Sequence, residues 1–297
     1  MPPTAILLIL MFAVLHTAWT LLAKRAPKTA AFYAVTIFVG VLMYSVVCVP
    51  HIVARRAILG AWPFFCISGV FLAAYYVLMA SVYRRADLSA VYPVLRLGPV
   101  FITAWSVIFL KEELPPIAFA GIAAIVAGTM MLPQRSLRIS RAALDTRHYL
   151  TKTYGMALAA SFCTSIYIVV DKSAMTRFNP EGDFRLALDY VLLEMCACCV
   201  VLVVFAVLSR DRQAWRQVRA AKVSTILMAP MVIGAYALVM GALAIPGVRA
   251  AYVAAFRQIS MVLTVTAGIV LLKERFGLVR IVAAVVICAG LALMALG

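Results

Sequence analysis

Apolar residues run along this chain in stretches too long and too unbroken for the half-buried elements of a soluble core. Ten stand out: 4–23, 30–50, 62–82, 91–110, 116–132, 153–171, 187–208, 224–244, 250–271 and 279–296. About 20 consecutive apolar residues carry a helix across a bilayer. In lipid each backbone polar group must find its partner inside the protein, which leaves helices or a closed barrel, and runs of this length predict helices. The connections are short. The longest, LPQRSLRISRAALDTRHYLTK (132–152), is basic and falls at the midpoint of the chain. The pattern predicts an all-α membrane protein with no room for a soluble domain.

The midpoint linker prompts a comparison of the halves. At an offset of 161 residues, Tyr75 falls on Tyr236, Met79 on Met240, Arg96 on Arg257, Thr103 on Thr264 and Glu113 on Glu274. Near the start of each half an offset of 148 puts Trp19 on Tyr167 and Lys24 on Lys172. Five spans per copy is an odd number, so the second copy enters the membrane from the other side. The expected architecture is ten transmembrane helices as two inverted five-helix repeats, residues 1–132 and 153–297, joined by a basic linker at 133–152. Such repeats are common in secondary transporters.

Composition sharpens this picture. Hydrophobic residues make up 66% and charged residues 13%, against about 45–50% and about 25% in soluble domains. The formal charge is +16, from 27 Lys and Arg against 11 Asp and Glu. In a soluble protein that excess would suggest nucleic acid. Here the cations sit in short loops and act as topology signals, and no nucleic acid is expected as a partner. With the N-terminal side called the A face, the B-face loops carry eighteen Lys and Arg against seven on the A face. The positive-inside rule then places both termini outside, in the plasma (inner) membrane of a bacterium. The first run has no basic residues ahead of it and Lys24, Arg25 and Lys28 behind it, so it reads as a retained span rather than a signal peptide. All seven cysteines lie in apolar runs without zinc-type spacing. They read as small apolar helix residues, Cys196-Ala-Cys198-Cys199 included, and no metal or cofactor is expected.

Polar residues inside the spans are the candidate chemistry, because each is costly in lipid and faces the bundle interior or a water-filled path. Arg96 lies in VYPVLRLGPVFITAW and Arg257 in AAYVAAFRQISMVLTV, each roughly 8–11 Å into the membrane, from opposite sides. Tyr92, Arg96, Pro99, Thr103 and Ser106 share one helical face, and Arg257, Ser260 and Thr264 repeat part of it. Pro93 and Pro99 are expected to loosen the helix around Arg96; the second half has no prolines there. The competing readings for the arginines are snorkelling to the interface and a structural pairing with Glu194 or with backbone carbonyls. Glu194 reads as the one acid clearly inside the hydrocarbon. It is the candidate coupling carboxylate, with a proton as the implied partner, or a structural partner for an arginine or for Lys172. His16, Trp19, Tyr75 and Tyr236 are candidate cavity residues, with helix packing as the alternative. Asp171 and Lys172 read as the end of span 6. Glu113 and Glu274 read as N-terminal signals for the helices that follow them.

The repeated five-span unit ends in an acid and a Gly/Ala-rich helix, KEELPPIAFAGIAAIVAGTMML and KERFGLVRIVAAVVICAGLALM. In this it resembles the EamA-type members of the drug/metabolite transporter superfamily over nearly the whole chain. The first span, LHTAWTLLAK, is similar to a subgroup with His-Ala-x-Trp-Asn followed by Lys, some of whose members are associated with phosphonate utilisation. His16, Trp19 and Lys24 match, while Thr17 and Thr20 stand in place of the Ala and the Asn. The resemblance implies a ten-helix carrier that moves a small metabolite by alternating access. It also implies, for many members, cytoplasmic termini, opposite to the charge count. An anionic or zwitterionic substrate held by Arg96 or Arg257, with Thr103 and Thr264 beside it, is the expected cargo. The alternatives are an intramembrane enzyme acting on a lipid-like substrate and an accessory membrane subunit. The enzyme would want paired carboxylates or a histidine–acid pair in a span, and the sequence displays neither; no catalytic residue is expected.

Overall fold

The computed structural model of the chain describes residues 1–23, 26–85, 94–131, 152–272 and 278–296. The first half holds α1 (Pro3–Ala23), α2 (Ala30–Arg55), a 3-10 turn (Ala57–Ala61), α3 (Trp62–Arg85), α4 (Gly98–Ile108) and α5 (Pro116–Met131). The second holds α6 (Lys152–Phe178), α7 (Phe184–Leu208), α8 (Arg212–Ala220), α9 (Lys222–Ala244), α10 (Ala250–Phe256), α11 (Ile259–Leu272) and α12 (Leu278–Leu296). There is no strand among the described residues. Among them α1, α2, the turn with α3, α6, α7 and α9 are each long and apolar enough to cross a membrane, and α4, α5 and α12 are shorter apolar helices. Among the described residues the apolar runs are helical, except where the two runs that carry Arg96 and Arg257 are interrupted.

Several expected boundaries move. The helix of span 6 does not end at Asp171 but runs on to Phe178, which puts Asp171 well inside it. The two spans that carry the arginines are each broken at the arginine. The loop expected after span 7 contains α8, capped by Asp211, whose carboxylate accepts the Ala214 N–H at 2.9 Å; its Ala214 and Val218 are buried. Lys24, Arg25, Tyr92, Pro93, Glu274 and the linker up to residue 151 lie outside the described residues.

Helix packing follows the repeat. If each element of the first half is exchanged for its counterpart in the second, α1 on α9 becomes α6 on α3, α1 on α11 becomes α6 on α4, and α3 on α7 becomes α9 on α2. All of these pairs are in contact, as are the self-related pairs α2–α7 and α5–α12. The α5–α12 crossing is made by glycines: a Cβ on Gly121 would stand 2.7 Å from the Gly290 carbonyl, and one on Gly290 would stand 2.6 Å from the Gly121 carbonyl. Small residues let backbones approach closely where lipid gives helices no hydrophobic reason to associate.

The connections sort into two ends. Arg55 faces Asp183 across the A-face end at 3.9 Å, and Arg84 faces Asp211 at the B-face end at 3.8 Å. A cavity of about 690 Å³ gathers the connections after α4, α6 and α9. One of about 610 Å³ lies among the connection before α2, the end of α3 and the α8–α9 junction. These described connections therefore sit with those that the span count placed on their own face.

Candidate functional site

Pro99 explains the first break. It occupies the first turn of α4, where its missing N–H is harmless, but its ring excludes the carbonyl of a helix continued from residue 95. Arg96 and Leu97 fall in the gap, with Arg96 half-buried. The second break, at Arg257–Gln258, has no proline and is held by hydroxyls instead. Ser260 Oγ donates to the Arg257 carbonyl at 2.7 Å. The Ser260 carbonyl accepts from Thr264 Oγ1 at 2.7 Å and from Thr17 Oγ1, on α1, at 3.2 Å. These hydroxyls add bonds to carbonyls at the start of α11, beside the Ser260 N–H that the Arg257 carbonyl already accepts at 3.2 Å.

The expected site residues divide. His16 lies within electrostatic reach of both Arg96 and Arg257, one from each half. The Arg257 guanidinium stands over the Phe12 ring, 5.2 Å from its centroid. His16 packs against Phe12 and Trp19 with centroids 5.0 Å away in each case, and its Nδ1 is 3.4 Å from Thr20 Oγ1. Tyr75 is half-buried beside Tyr76. Thr103 and Thr264 spend their hydroxyl protons on the backbone: Thr103 Oγ1 donates to the Pro99 carbonyl at 2.7 Å, the repeat-related copy of the Thr264 bond. None of these residues lines either of the two end cavities.

Glu194 has different company from that expected. Lys172 does not pair with it; its ammonium donates to the Leu243 carbonyl at 2.9 Å, at the C-terminal end of α9. Glu194 lies instead beside a second acid, Asp171, and both are fully buried. Glu194 is therefore not the one acid of the interior, and a carboxylate pair does exist, assembled from two helices. Asp171 Oδ1 accepts from Ser68 Oγ of α3 at 2.5 Å and from the Tyr190 hydroxyl of α7 at 2.9 Å. Its Oδ2 accepts from the Tyr236 hydroxyl of α9. Glu194 is also close to the Tyr236 hydroxyl, yet neither of its oxygens completes a hydrogen bond. A close approach of α3 to α7 makes this possible: a Cβ on Gly69 would stand 2.7 Å from Ala197 Cβ and 2.9 Å from the Glu194 carbonyl.

A third buried acid, Asp189, pairs with His51 of α2, so a histidine–acid pair is present as well. Spacing along one run could not reveal either pair, since the partners are far apart in sequence. The signal available was the low count of acids in the spans, each of which needed a partner.

The A-face cavity is lined by Lys111, Lys172, Arg177 and Arg249, with Glu112 as its one acid. Glu112 spends its carboxylate on the N-terminus of α10, accepting the Ala250 N–H at 2.6 Å. The capping acid is thus Glu112 rather than Glu113, and the helix it caps is not the one that follows it. Arg177 stands over Phe178, and Arg249 stands over Tyr252 and donates to its hydroxyl at 3.2 Å. Among the described residues no carboxylate forms an ion pair with these four cations. All seven cysteines are free thiols, and among the described residues no cluster of His, Cys, Asp and Glu could hold a metal.

The model of the EamA-like transporter family matches residues 3–133 and 151–296. None of the curated proteins matches the sequence. A solved structure, described only as "Crystal structure of protein", is similar with a TM-score of 0.71 and 17% identity, over 100% of this chain and 98% of that one. That likeness concerns the fold. With the apolar helices, the family match makes this an integral, multi-pass membrane protein built from two repeats.

Proposed function

We propose that this chain, which belongs to the EamA-like transporter family, is a secondary carrier for a small anionic or zwitterionic metabolite. It works by alternating access of two inverted five-helix repeats, ten spans in all, in a bacterial inner membrane, and it performs no chemistry on its cargo. The observation that carries this reading is the pair of helix breaks. Repeat-related helices are interrupted at Arg96 and at Arg257, and both guanidinium groups come within reach of His16. Discontinuous helices near the midplane are where carriers of this architecture hold substrate, with half-helix N-termini favouring anionic groups.

Arg96 and Arg257 hold the negative group. Thr103 and Thr264 have donated their protons to backbone carbonyls but keep acceptor lone pairs, which suits an ammonium or hydroxyl of the cargo. His16, Trp19, Tyr75 and Tyr236 form the walls, and Glu194 is the coupling carboxylate. The cationic A-face cavity supports the same sign of charge, since a cleft lined by one sign raises the local concentration of the opposite one.

The test is uptake of a panel of small anions, zwitterions, cations and sugars into vesicles holding the purified protein. Saturable uptake of an anionic or zwitterionic class is expected. Arg257→Gln should reduce it roughly tenfold or more, the value of one charge-assisted hydrogen bond. Uptake confined to cations or neutral sugars, or undiminished in both Arg96→Gln and Arg257→Gln, overturns the reading.

A further inference from the structure

We infer that Asp171 and Glu194 hold a single proton between them, passed through the hydroxyl of Tyr236, and that its position sets a polar lock toward the A-face end of the bundle. The inference deepens the coupling role given to Glu194 and rests on the carrier reading for its purpose, though not for its chemistry.

The hydrogen bonds locate the proton. The hydroxyls of Ser68, Tyr190 and Tyr236 converge on Asp171, and three groups able to donate to a carboxylate favour its ionised form. Glu194 receives no donor at either oxygen although it is fully buried. Two adjacent carboxylates out of water do not both ionise, and the one without donors keeps the proton.

Tyr236 links them. In the transfer, the Glu194 carboxyl gives its proton to the Tyr236 oxygen while the Tyr236 proton passes to Asp171 Oδ2. Glu194 becomes the carboxylate, Asp171 the acid, and Tyr236 is unchanged except that it now donates to Glu194. With the proton on Glu194, Asp171 of α6 gathers hydroxyls from α3, α7 and α9. With the proton on Asp171 the hub has lost its charge: Asp171 Oδ2 now donates to the Tyr236 oxygen and Tyr236 donates to Glu194, so α9 stays tied to both α6 and α7 but no longer by bonds to an anion at Asp171. The proton thus sets whether α3, α7 and α9 are held to Asp171 of α6 by charge-assisted hydrogen bonds.

The second repeat alone has this device: the position related to Asp171 at the offset of 148 is Ala23. Other ionisable groups face the pair from each packed element. Tyr167 lies on α6, Cys198 on α7, Tyr76 of α3 lies next to Cys198, and Arg257 at the helix break reaches Asp171 electrostatically. On α2, His51 is occupied by Asp189, and on α10, Tyr252 is occupied by Arg249. The 3-10 turn and α4 carry no ionisable side chain.

The experiment needs no substrate. Infrared difference spectra of the full chain in lipid nanodiscs at neutral pH should contain the carbonyl stretch of one protonated, buried carboxylic acid. The band should vanish in Glu194→Gln and change frequency in Tyr236→Phe. Should Glu194→Gln not fold, Glu194→Asp must move the band. Asp171→Asn, which mimics the protonated acid, should raise hydrogen–deuterium exchange at the A-face ends of α6 and α9 above wild type. Absence of the band, its persistence unchanged in both Glu194 variants, or wild-type exchange in Asp171→Asn overturns the inference. Failure here leaves anion uptake and its loss in Arg257→Gln untouched, whereas failure of uptake leaves the infrared band in place.

Discussion

Thr17 is a small residue with a disproportionate position. Its hydroxyl donates to the Ser260 carbonyl and lies 3.2 Å from Thr264 Oγ1, so one side chain of α1 holds the break in the other half of the protein. Its repeat counterpart, Ser165 of α6, accepts the Trp105 indole N–H of α4 at 3.0 Å. The two halves therefore use a hydroxyl at the same place, each to grip the other half's interrupted span. In the family resemblance this threonine stands as a departure from the subgroup motif; here it has a structural task. Replacing it with valine keeps the shape and removes the donor, leaving the Ser260 carbonyl short of one partner. Interhelical hydrogen bonds in membrane proteins contribute about 0.6 kcal/mol on average. Thr17→Val should therefore lower the apparent melting temperature in detergent by a small, reproducible step, and Thr17→Ser should restore it. Equal stability of all three proteins would show that Thr264 alone suffices for the Ser260 carbonyl.

At the scale of elements, α3 and α7 come together because Gly69 has no side chain. The atoms a Cβ would strike are Ala197 Cβ, the Cys198 nitrogen and the Glu194 carbonyl, none of which is the free end of a flexible chain. Gly69→Ala should separate the helices or strain them, at a cost of about 1–3 kcal/mol, the usual range for overpacking. Gly155→Ala on α6, where nothing stands within 4 Å, is the matched control and should leave thermal stability unchanged. A Gly69→Ala variant as stable as the control would mean the approach of α3 to α7 is loose. This contact also shows where sequence reading stopped. The ten apolar runs were legible because lipid imposes length and composition on each span locally. The break at Arg96 was legible in part, since Pro99 acts on its own helix. The break at Arg257 was not, since no proline marks it and the Thr17 bond beside it comes from another helix. The carboxylate pair was missed because its members lie on different helices: Asp171 looked like the end of a run when considered alone, and only its position among α3, α7 and α9 reveals its three donors.

For the whole molecule the open matter is which end faces the cytoplasm. The fold sorts its connections into two groups, and the sorting agrees with the span count: Arg84 meets Asp211 at one end, Arg55 meets Asp183 at the other, and each end gathers its own cavity. The basic linker and the Arg-rich α8 both connect B-face ends. Lys and Arg near span ends resist translocation, so the end that carries most of them stays inside. On that argument the cationic A-face cavity opens outside the cytoplasm and the termini are outside. The resemblance to carriers with cytoplasmic termini argues the reverse, and a reporter separates the two. Fused after residue 297, alkaline phosphatase should be active and a green fluorescent protein dark, since the first matures only outside the cytoplasm and the second only within it. The opposite result would turn the molecule over. The A-face cations would then draw anions from the cytoplasm, and the proton lock near that end would be loaded from inside.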